Sequence, residues 1–259
     1  MNRLILKRSF TLANPSEWKC PTCGNGILKI KKDAFKSGEI ALSRDHSLEA
    51  WELEWVSYAF SCVLICNNSQ CEEYVSCTGT GSADVEHFEN EDGSVDSEYI
   101  ESYLPKYFEP HLRPIDIPDG CPKSVSKPLE ESFKLFFCSP GASLNCVRMA
   151  TEELLTNLKV PRSHVANNKK TFISLHRRID LLPEKYSELK DLILAVKWLG
   201  NAGSHSNGDV TIDDVMDSYE MIEHVLQEIY VPKTKKLSAL AKQVNKKRGP
   251  LKRKKHPFA

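Results

Sequence analysis

The pattern of hydrophobic and polar positions divides the chain near residue 125, and the part before this point has the pattern of β-strands. Trp51, Leu53 and Trp55 alternate with glutamates, which gives one apolar and one polar face. Further β-prone stretches cover residues 27–30, 58–65 and 73–79. We therefore predict a small β domain over residues 1–83.

Beyond residue 125, apolar residues recur every three to four positions, which is the period of an amphipathic helix. Five such stretches with short joints predict a helical bundle over residues 125–231. They cover residues 128–138, 140–158, 172–182, 183–199 and 212–230. Residues 84–124 hold eleven Asp/Glu and several prolines, so we predict an acidic linker or extended strap there. The predicted fold class is α+β, with a basic tail over residues 232–259.

The fourth predicted helix ends in a turn that presents a histidine. Residues 189–199 are apolar on one face, and Gly200 follows where a helix end favours a left-handed residue. Asn201 and His205 come next, on a short stretch rich in Gly and Ser. We expect a functional site here first.

Charge is balanced over the whole chain but not along it. Residues 1–230 carry 24 Lys/Arg against 35 Asp/Glu, a net of −11, whereas residues 231–259 carry eleven Lys/Arg and no acidic residue. An acidic body does not attract nucleic acid, but such a tail can contact phosphates. A solvated, disordered tail and contact with another acidic partner are the alternatives. We predict Arg177 and Arg178 to be surface charges. The candidate phosphate contacts in the tail are Lys246, Lys247, Arg248, Lys252, Arg253, Lys254 and Lys255.

No apolar run reaches the length of a membrane span, and the N-terminus lacks the apolar core of a signal peptide. This composition predicts a soluble, cytoplasmic protein in a reducing environment. Nine cysteines in such a compartment favour metal binding over disulfide bonds.

Four of the cysteines form two closely spaced pairs. A Cys-x-x-Cys-Gly turn comes first, and a wider turn rich in Asn and Ser supplies the second pair. Two such knuckles among β-strands are the layout of a zinc ribbon, and four thiolates fill a tetrahedral Zn²⁺, so the ion is predicted to be structural. The predicted ligands are Cys20, Cys23, Cys66 and Cys71. The alternatives are four ordinary buried thiols, or substitution of one ligand by Cys62 or Cys77.

The helical part resembles the family called domain of unknown function 4145, which is grouped with the HEPN (higher eukaryote and prokaryote nucleotide-binding) superfamily of helical bundles. The residues that carry the resemblance are 142–155, 175–179, 194–205 and 213–230. The cysteine knuckles followed by Tyr-Phe-x-Pro at residues 107–110 are similar to the N-terminal portion often found with this family.

The resemblance implies several functional expectations. Related bundles include RNases of toxin and antiviral systems, in which an arginine, a polar residue and a histidine near a helix end act on RNA. Asn201 and His205 match the polar and histidine positions, but Gly200 replaces the arginine and Lys197 lies one turn earlier. The resemblance also implies a prokaryotic protein of a defence or restriction-type system, with a protein partner and a homodimer formed through the helical domain.

Three roles of the turn remain open. His205 can hydrogen-bond backbone carbonyls while Asn201 caps the helix, the pair can bind a phosphate, or it can act in catalysis. Arg148 can face the turn or form an ion pair with Glu152 one helical turn on. The main hypothesis is a zinc-binding protein that binds nucleic acid or a partner, with Lys197 and Arg148 as further candidate nucleic-acid contacts. The alternative is a metal-independent RNase that uses His205 with Asn201.

Overall fold

A four-stranded antiparallel sheet, with its strands in sequence order, occupies the N-terminal part of the computed structural model. The structure describes residues 1–44, 52–90, 92–166, 169–203, 210–231 and 233–251. A short helix, α1 (Arg3–Lys7), precedes the sheet. The strands are β1 (Leu28–Glu39), β2 (Ser57–Cys66), β3 (Tyr74–Glu89) and β4 (Val95–Glu109). Helices follow, so the predicted α+β class is confirmed.

Strand β2 shows how the sequence pattern produces this sheet. Phe60, Cys62 and Leu64 are buried, whereas Ala59 before them and Ser61 between the first two are exposed. Alternate residues of a strand point to opposite faces, so the three buried residues all face one core. The predicted strands at residues 58–65 and 73–79 are confirmed by β2 and β3.

Strands β3 and β4 form a long hairpin that runs through the predicted boundary at residue 83. They remain paired as far as Glu89 and Val95, where Gly93 adopts a left-handed conformation (φ 81°) in the turn. The predicted linker over residues 84–124 is therefore wrong over residues 84–109. Pairing satisfies the backbone hydrogen bonds of both strands, so an acidic ribbon can form regular structure without burying apolar side chains.

A strand was also predicted around Leu53 and Trp55, and this prediction is wrong. Leu53–Trp55 forms one turn of 3₁₀-helix, closed by a hydrogen bond from Val56 N to Leu53 O (3.0 Å). Strand β2 pairs with β1 on one side and with β3 on the other, so the segment before it has no free edge of β2 to join. Trp51 lies outside the described residues.

Six α-helices follow the sheet in the described part of the chain. Three of the predicted helices lie close to their expected positions. A 3₁₀-helix (Glu184–Leu189) leads into α5. The α-helices are α2 (Lys123–Leu135), α3 (Pro140–Asn157), α4 (Leu175–Asp180), α5 (Lys190–Ala202), α6 (Ile212–Tyr230) and α7 (Lys233–Lys247). Helix α7 occupies much of the predicted basic tail. No helix among the described residues is both long and apolar enough to cross a membrane.

A small hairpin replaces the start of the predicted third helix. Strands β5 (Ser163–Ala166) and β6 (Lys169–Phe172) pair in an antiparallel manner, and α4 begins only after them. Ser174 is the N-cap of α4, and its hydroxyl accepts a hydrogen bond from Arg177 N (3.4 Å). Because the cap fixes the helix start at Leu175, Phe172 remains outside the helix.

The sheet and the helices share one hydrophobic core. The ring of Phe108 on β4 lies between Trp18, 5.1 Å away, and Phe137, 5.0 Å away between ring centroids. Helix α1 joins the same assembly because Arg3 donates two hydrogen bonds to Glu220 on α6, at 3.0 and 2.6 Å. The stacked rings thus join the sheet to the bundle, and the bonds of Arg3 join α1 to it.

The centre of the bundle combines aromatic packing with a buried polar cluster. Tyr219 of α6 is fully buried, and its ring lies 5.3 Å from Phe133 and 5.6 Å from Phe136. Its hydroxyl is hydrogen-bonded to Ser132 Oγ (2.8 Å) and Ser143 Oγ (3.1 Å). Since buried hydroxyls need partners, this cluster fixes how α2, α3 and α6 pack together.

Candidate metal centre and candidate nucleic-acid contacts

The four predicted metal ligands meet at one point next to the sheet. Their Sγ atoms all lie within 4.8 Å of one another, with 3.8 Å between Cys20 and Cys71 and 3.7 Å between Cys23 and Cys66. Each of these two short distances joins one knuckle to the other. A tetrahedral ion with metal–sulfur bonds of ~2.3 Å separates its sulfur atoms by about 3.8 Å. Two of the sulfur–sulfur distances already match this geometry, so the four thiols could hold a metal ion.

Glycines shape the first knuckle. Gly24 is left-handed (φ 66°), which an L-residue adopts only with strain. At Gly26 an added Cβ would overlap Cys66 Sγ, so only glycine allows the two knuckles to approach this closely. Gly26 also donates its N–H to Cys23 Sγ (3.3 Å) and accepts a hydrogen bond from Cys20 N (2.8 Å).

Electrostatics also favour a cation at this position. The backbone N–H groups of Gly26 and Asn25 lower the pKa of Cys23 to about 6. Burial, reinforced by the neighbouring Cys23 and Cys20, raises the pKa of Cys66 to about 12. Without a cation, the four sulfur atoms cannot all ionise so close together; a bound divalent ion would offset their repulsion.

Cys62 and Cys77 do not belong to this cluster. They pair with each other across β2 and β3, and both are buried in the core of the sheet. Among the described residues, the only group of cysteine, histidine and carboxylate ligands close enough to hold a metal is the four-cysteine cluster. The alternative in which either residue substitutes as a ligand is therefore wrong.

The end of α5 differs from the prediction. The helix continues through Gly200 and Asn201 to Ala202, so Gly200 is not a left-handed residue at the helix end. An added Cβ on Gly200 would lie 2.5 Å from the Cβ of Arg148 on α3. The glycine is required because α3 and α5 cross closely here, and Asn201 consequently lies within the last helical turn. His205 lies outside the described residues.

Three of the predicted polar residues lie along α3 and α5. Arg148 forms an ion pair with Glu152 (3.0 Å), which confirms the pairing considered from the sequence. Lys197 is buried, and its Nζ lies 3.1 Å from the centroid of the Trp198 ring. Asn201 follows Lys197 by four positions and so shares its side of α5. A contact of any of them with nucleic acid stays a prediction.

The predicted basic contacts in the tail lie in and beyond α7. Lys246 and Lys247 end this helix and Arg248 follows it, and all three are exposed. Helix α7 also exposes Leu240 and Val244. The predicted contacts Lys252, Arg253, Lys254 and Lys255 lie outside the described residues.

Two features near α4 were not found from the sequence. Arg178 is buried rather than exposed, and it donates hydrogen bonds to Thr156 Oγ1 (2.9 Å) and Val160 O (3.4 Å). Burial lowers the pKa of this guanidinium. The β5–β6 hairpin exposes Phe172 and Lys170. The sequence signal for a basic surface here was the absence of acidic residues over residues 154–179.

Comparison with known families divides the chain in a similar way. Residues 8–108 match the family described as "Domain of unknown function (DUF8608)". Residues 130–247 match the family described as "Domain of unknown function (DUF4145)", which confirms the resemblance stated from the sequence. The second match includes α7. No curated protein and no solved structure matches the chain.

Proposed function

We propose, starting from the membership of residues 130–247 in the DUF4145 family, that this protein binds nucleic acid through its basic C-terminal segment and is stabilised by a structural zinc ion. The observation that carries the zinc proposal is the arrangement of four cysteine sulfur atoms within 4.8 Å. The observation that supports nucleic-acid binding is the exposure of basic residues over 240–248, at the end of α7, on an otherwise acidic chain.

Zinc is the metal that this ligand set favours. Four thiolates in a tetrahedral arrangement select zinc or an iron–sulfur centre, and the 3.7 and 3.8 Å sulfur–sulfur distances fit a single ion. Because the protein supplies all four ligands, no coordination position remains for water or substrate. The ion would therefore fix the geometry of the knuckles and would not act in catalysis.

Metal analysis of the purified protein tests this proposal. We expect about one zinc ion per chain, lost in Cys20→Ser and in Cys71→Ser. Cys138→Ser is the matched control, because this cysteine lies outside the cluster. Iron in place of zinc, or full zinc content in Cys71→Ser, would refute the assignment.

The basic segment is suited to phosphate contact. Helix α7 and the residue that follows it expose Lys242, Lys246, Lys247 and Arg248, and no acidic residue occurs after Glu228. Residues 1–230 carry a net charge of −11, so we expect most of the attraction of a polyanion to come from this segment. Contacts of this kind position a protein on nucleic acid without reading its sequence.

Binding of labelled RNA and DNA by the full chain and by a chain lacking residues 233–259 tests the role of this segment. We expect the deletion to remove most of the affinity. We also expect the logarithm of the affinity of the full chain to fall with the logarithm of salt, by roughly 0.7–0.9 per phosphate contacted. Equal affinity of both chains at every salt concentration would contradict the proposal.

A metal-independent RNase that uses His205 with Asn201 is the second candidate. One observation favours it: the Arg148 side chain packs against Gly200, the position at which the related RNases carry an arginine. In such an enzyme His205 would act on the 2′-hydroxyl, and Arg148 or Lys197 would stabilise charge on the phosphate.

RNA cleavage by the zinc-loaded protein in buffer without Mg²⁺ tests this candidate. We expect His205→Ala and Asn201→Ala to abolish cleavage while leaving zinc content and RNA affinity unchanged. His224→Ala, on α6, is the histidine control. If the wild-type protein cleaves none of a varied set of RNAs, the candidate is rejected while the binding proposal still stands.

The biological setting that we propose is a defence or restriction-type system in which the protein acts with a protein partner and as a homodimer formed through its helical domain. The support is the resemblance of this domain to HEPN-type bundles. Light scattering of the purified protein at several concentrations tests the dimer, and a monomer mass at every concentration would refute it.

A further inference from the structure

The β5–β6 hairpin stands apart from the core. All four residues of β6 are exposed, and Val165 and Phe172 are 73% and 78% exposed. In the strand register Val165 lies opposite Lys170 and Ser163 lies opposite Phe172, so these side chains share one face of the ribbon. A two-stranded ribbon gains little stability from its own contacts, and an exposed phenylalanine adds none through burial.

This region is basic, although residues 1–230 as a whole are acidic. Residues 154–179 include six Lys/Arg and no Asp/Glu, although residues 1–230 as a whole carry a net of −11. Arg178 is buried and Arg162 forms an ion pair with Glu153. The other four basic residues are exposed to solvent: Lys159, Lys169, Lys170 and Arg177.

Aromatic side chains accompany these charges. Lys170 Nζ lies 5.9 Å from the centroid of the Phe172 ring. Helix α4 begins three residues after Phe172 and places the His176 ring 5.9 Å from Trp198 of α5, which is 55% exposed. Phe172 thus offers accessible ring surface beside Lys170, and Trp198 offers it beside Lys197. We call Lys169, Lys170, Phe172, Arg177 and Trp198 together the hairpin surface, in which Lys169 lies on the opposite face of the ribbon from Lys170 and Phe172.

We propose that the hairpin surface binds single-stranded nucleic acid, with phosphates held by its lysines and arginine and bases stacked on Phe172 and Trp198. Exposed rings beside cations suit unpaired bases, because each base offers a π-face, whereas a duplex hides these faces within its stack. The inference rests on the proposed function for its class of partner but uses a different surface from the basic tail.

Affinity measurements on the full chain test the inference. The probes are labelled single-stranded oligo(U) and a labelled RNA duplex, and the variants are Phe172→Ala and Lys169→Glu/Lys170→Glu. The charge-matched control is Lys123→Glu/Lys127→Glu, which reverses two exposed lysines on α2. Thermal unfolding and zinc content confirm that each variant is folded, as expected for exposed positions.

Loss of one stacked base predicts about a 5- to 100-fold weaker affinity of Phe172→Ala for oligo(U), with little change for the duplex. The lysine variant should weaken binding of both probes, whereas the α2 control should bind as the wild type does. If the hairpin variants bind oligo(U) like the wild type while deletion of residues 233–259 removes binding, the inference fails and the proposed function stands.

If the wild-type chain binds neither probe, both the proposed function and the inference fail. An acidic protein partner is the remaining outcome. In that case polyglutamate would bind the wild-type chain, Phe172→Ala would weaken this binding, and oligo(U) affinity would not depend on Phe172. That result would also overturn the inference.

Discussion

Gly26→Ala provides a sharp test of the metal centre because a single methyl group would occupy space that Cys66 Sγ now fills. The added carbon would also lie 3.0 Å from Asn68 Cβ and 3.3 Å from Asn67 Oδ1, so it is enclosed by the second knuckle. Non-bonded carbon and sulfur atoms keep roughly 3.5–4.0 Å apart. The sulfur of Cys66 therefore has to withdraw, or the two knuckles have to separate.

The expected loss of affinity follows from the geometry of the site. Metal–ligand distances tolerate changes of only about 0.2 Å, so a displaced Cys66 would cease to be an effective ligand. Structural zinc sites contribute about 10–16 kcal/mol through four ligands, so losing one ligand costs ~3 kcal/mol or more. This free energy corresponds to roughly a 100-fold weaker zinc affinity.

Zinc affinity is measured by competition with a chromophoric chelator, and cobalt substitution reports whether four thiolates still surround the ion. Gly24→Ala is the matched control, because a methyl group there meets nothing within 4 Å and strains only the left-handed backbone (φ 66°). That strain costs about 1–2 kcal/mol, so we expect a smaller loss of affinity. Wild-type affinity in Gly26→Ala, or an equal loss in both variants, would refute the steric argument.

Three further predictions concern the helices. Gly200→Ala should lower the free energy of unfolding by about 1–2 kcal/mol in urea melts, because overpacking against Arg148 outweighs the gain in helix propensity. In a double-mutant cycle, Arg148→Gly should partly compensate this loss. Strict additivity of the two free-energy changes would contradict the close crossing. Tyr219→Phe should cost about 1 kcal/mol, because its hydroxyl loses two hydrogen bonds while Ser132 and Ser143 keep each other; a loss as large as that of a core Phe→Ala variant would contradict this. Asp214→Ala should cost about 1 kcal/mol at neutral pH, because Asp214 completes the capping box of α6 with Thr211. Hydrogen bonds from Thr211 hold the pKa of this carboxyl below its usual value. Its contribution to the free energy of unfolding is therefore present above the unfolded-state pKa and disappears as pH falls through the folded-state pKa. A difference in stability between variant and wild type that persists below that pH would contradict the assignment.

The four-cysteine cluster could be predicted from sequence because its chemistry is local. Cys20 and Cys23 share one turn, Cys66 and Cys71 share another, and the spacing within each pair already suits one ion. Only the pairing of the two knuckles is a long-range property, and the same four residues form the cluster in the structure. The family of the helical part could likewise be inferred from short stretches of sequence.

The function of Gly200 could not be predicted in this way. A glycine after an apolar helical pattern is equally compatible with a helix end and with a close helix crossing, and Arg148, which distinguishes them, is distant in sequence. Phe172 was assigned to a helix because its spacing to Leu175 matches the helical period. In the structure it is exposed on a hairpin, where no burial pattern marks the strand.

The long β3–β4 hairpin escaped prediction for a related physical reason. Its outer part buries little on either face, so its register depends on backbone pairing and on the turn at Gly93 rather than on an alternating apolar pattern. Acidic composition and prolines are typical of mobile linkers, but composition alone does not distinguish a linker from a paired polar ribbon.

The position of the metal centre affects how activity experiments should be designed. Trp18 lies two residues before Cys20, and its ring contacts Phe108, which in turn contacts Phe137 at the end of α2. A structural ion contributes directly to folding free energy, so its removal should loosen this chain of rings and with it the bundle. Loss of RNA cleavage or binding after strong chelation would therefore be expected even if the metal took no part in chemistry. Only a variant such as His205→Ala, compared with the wild type while both retain zinc, can separate a catalytic function of the α5 end from the structural contribution of the proposed zinc ion.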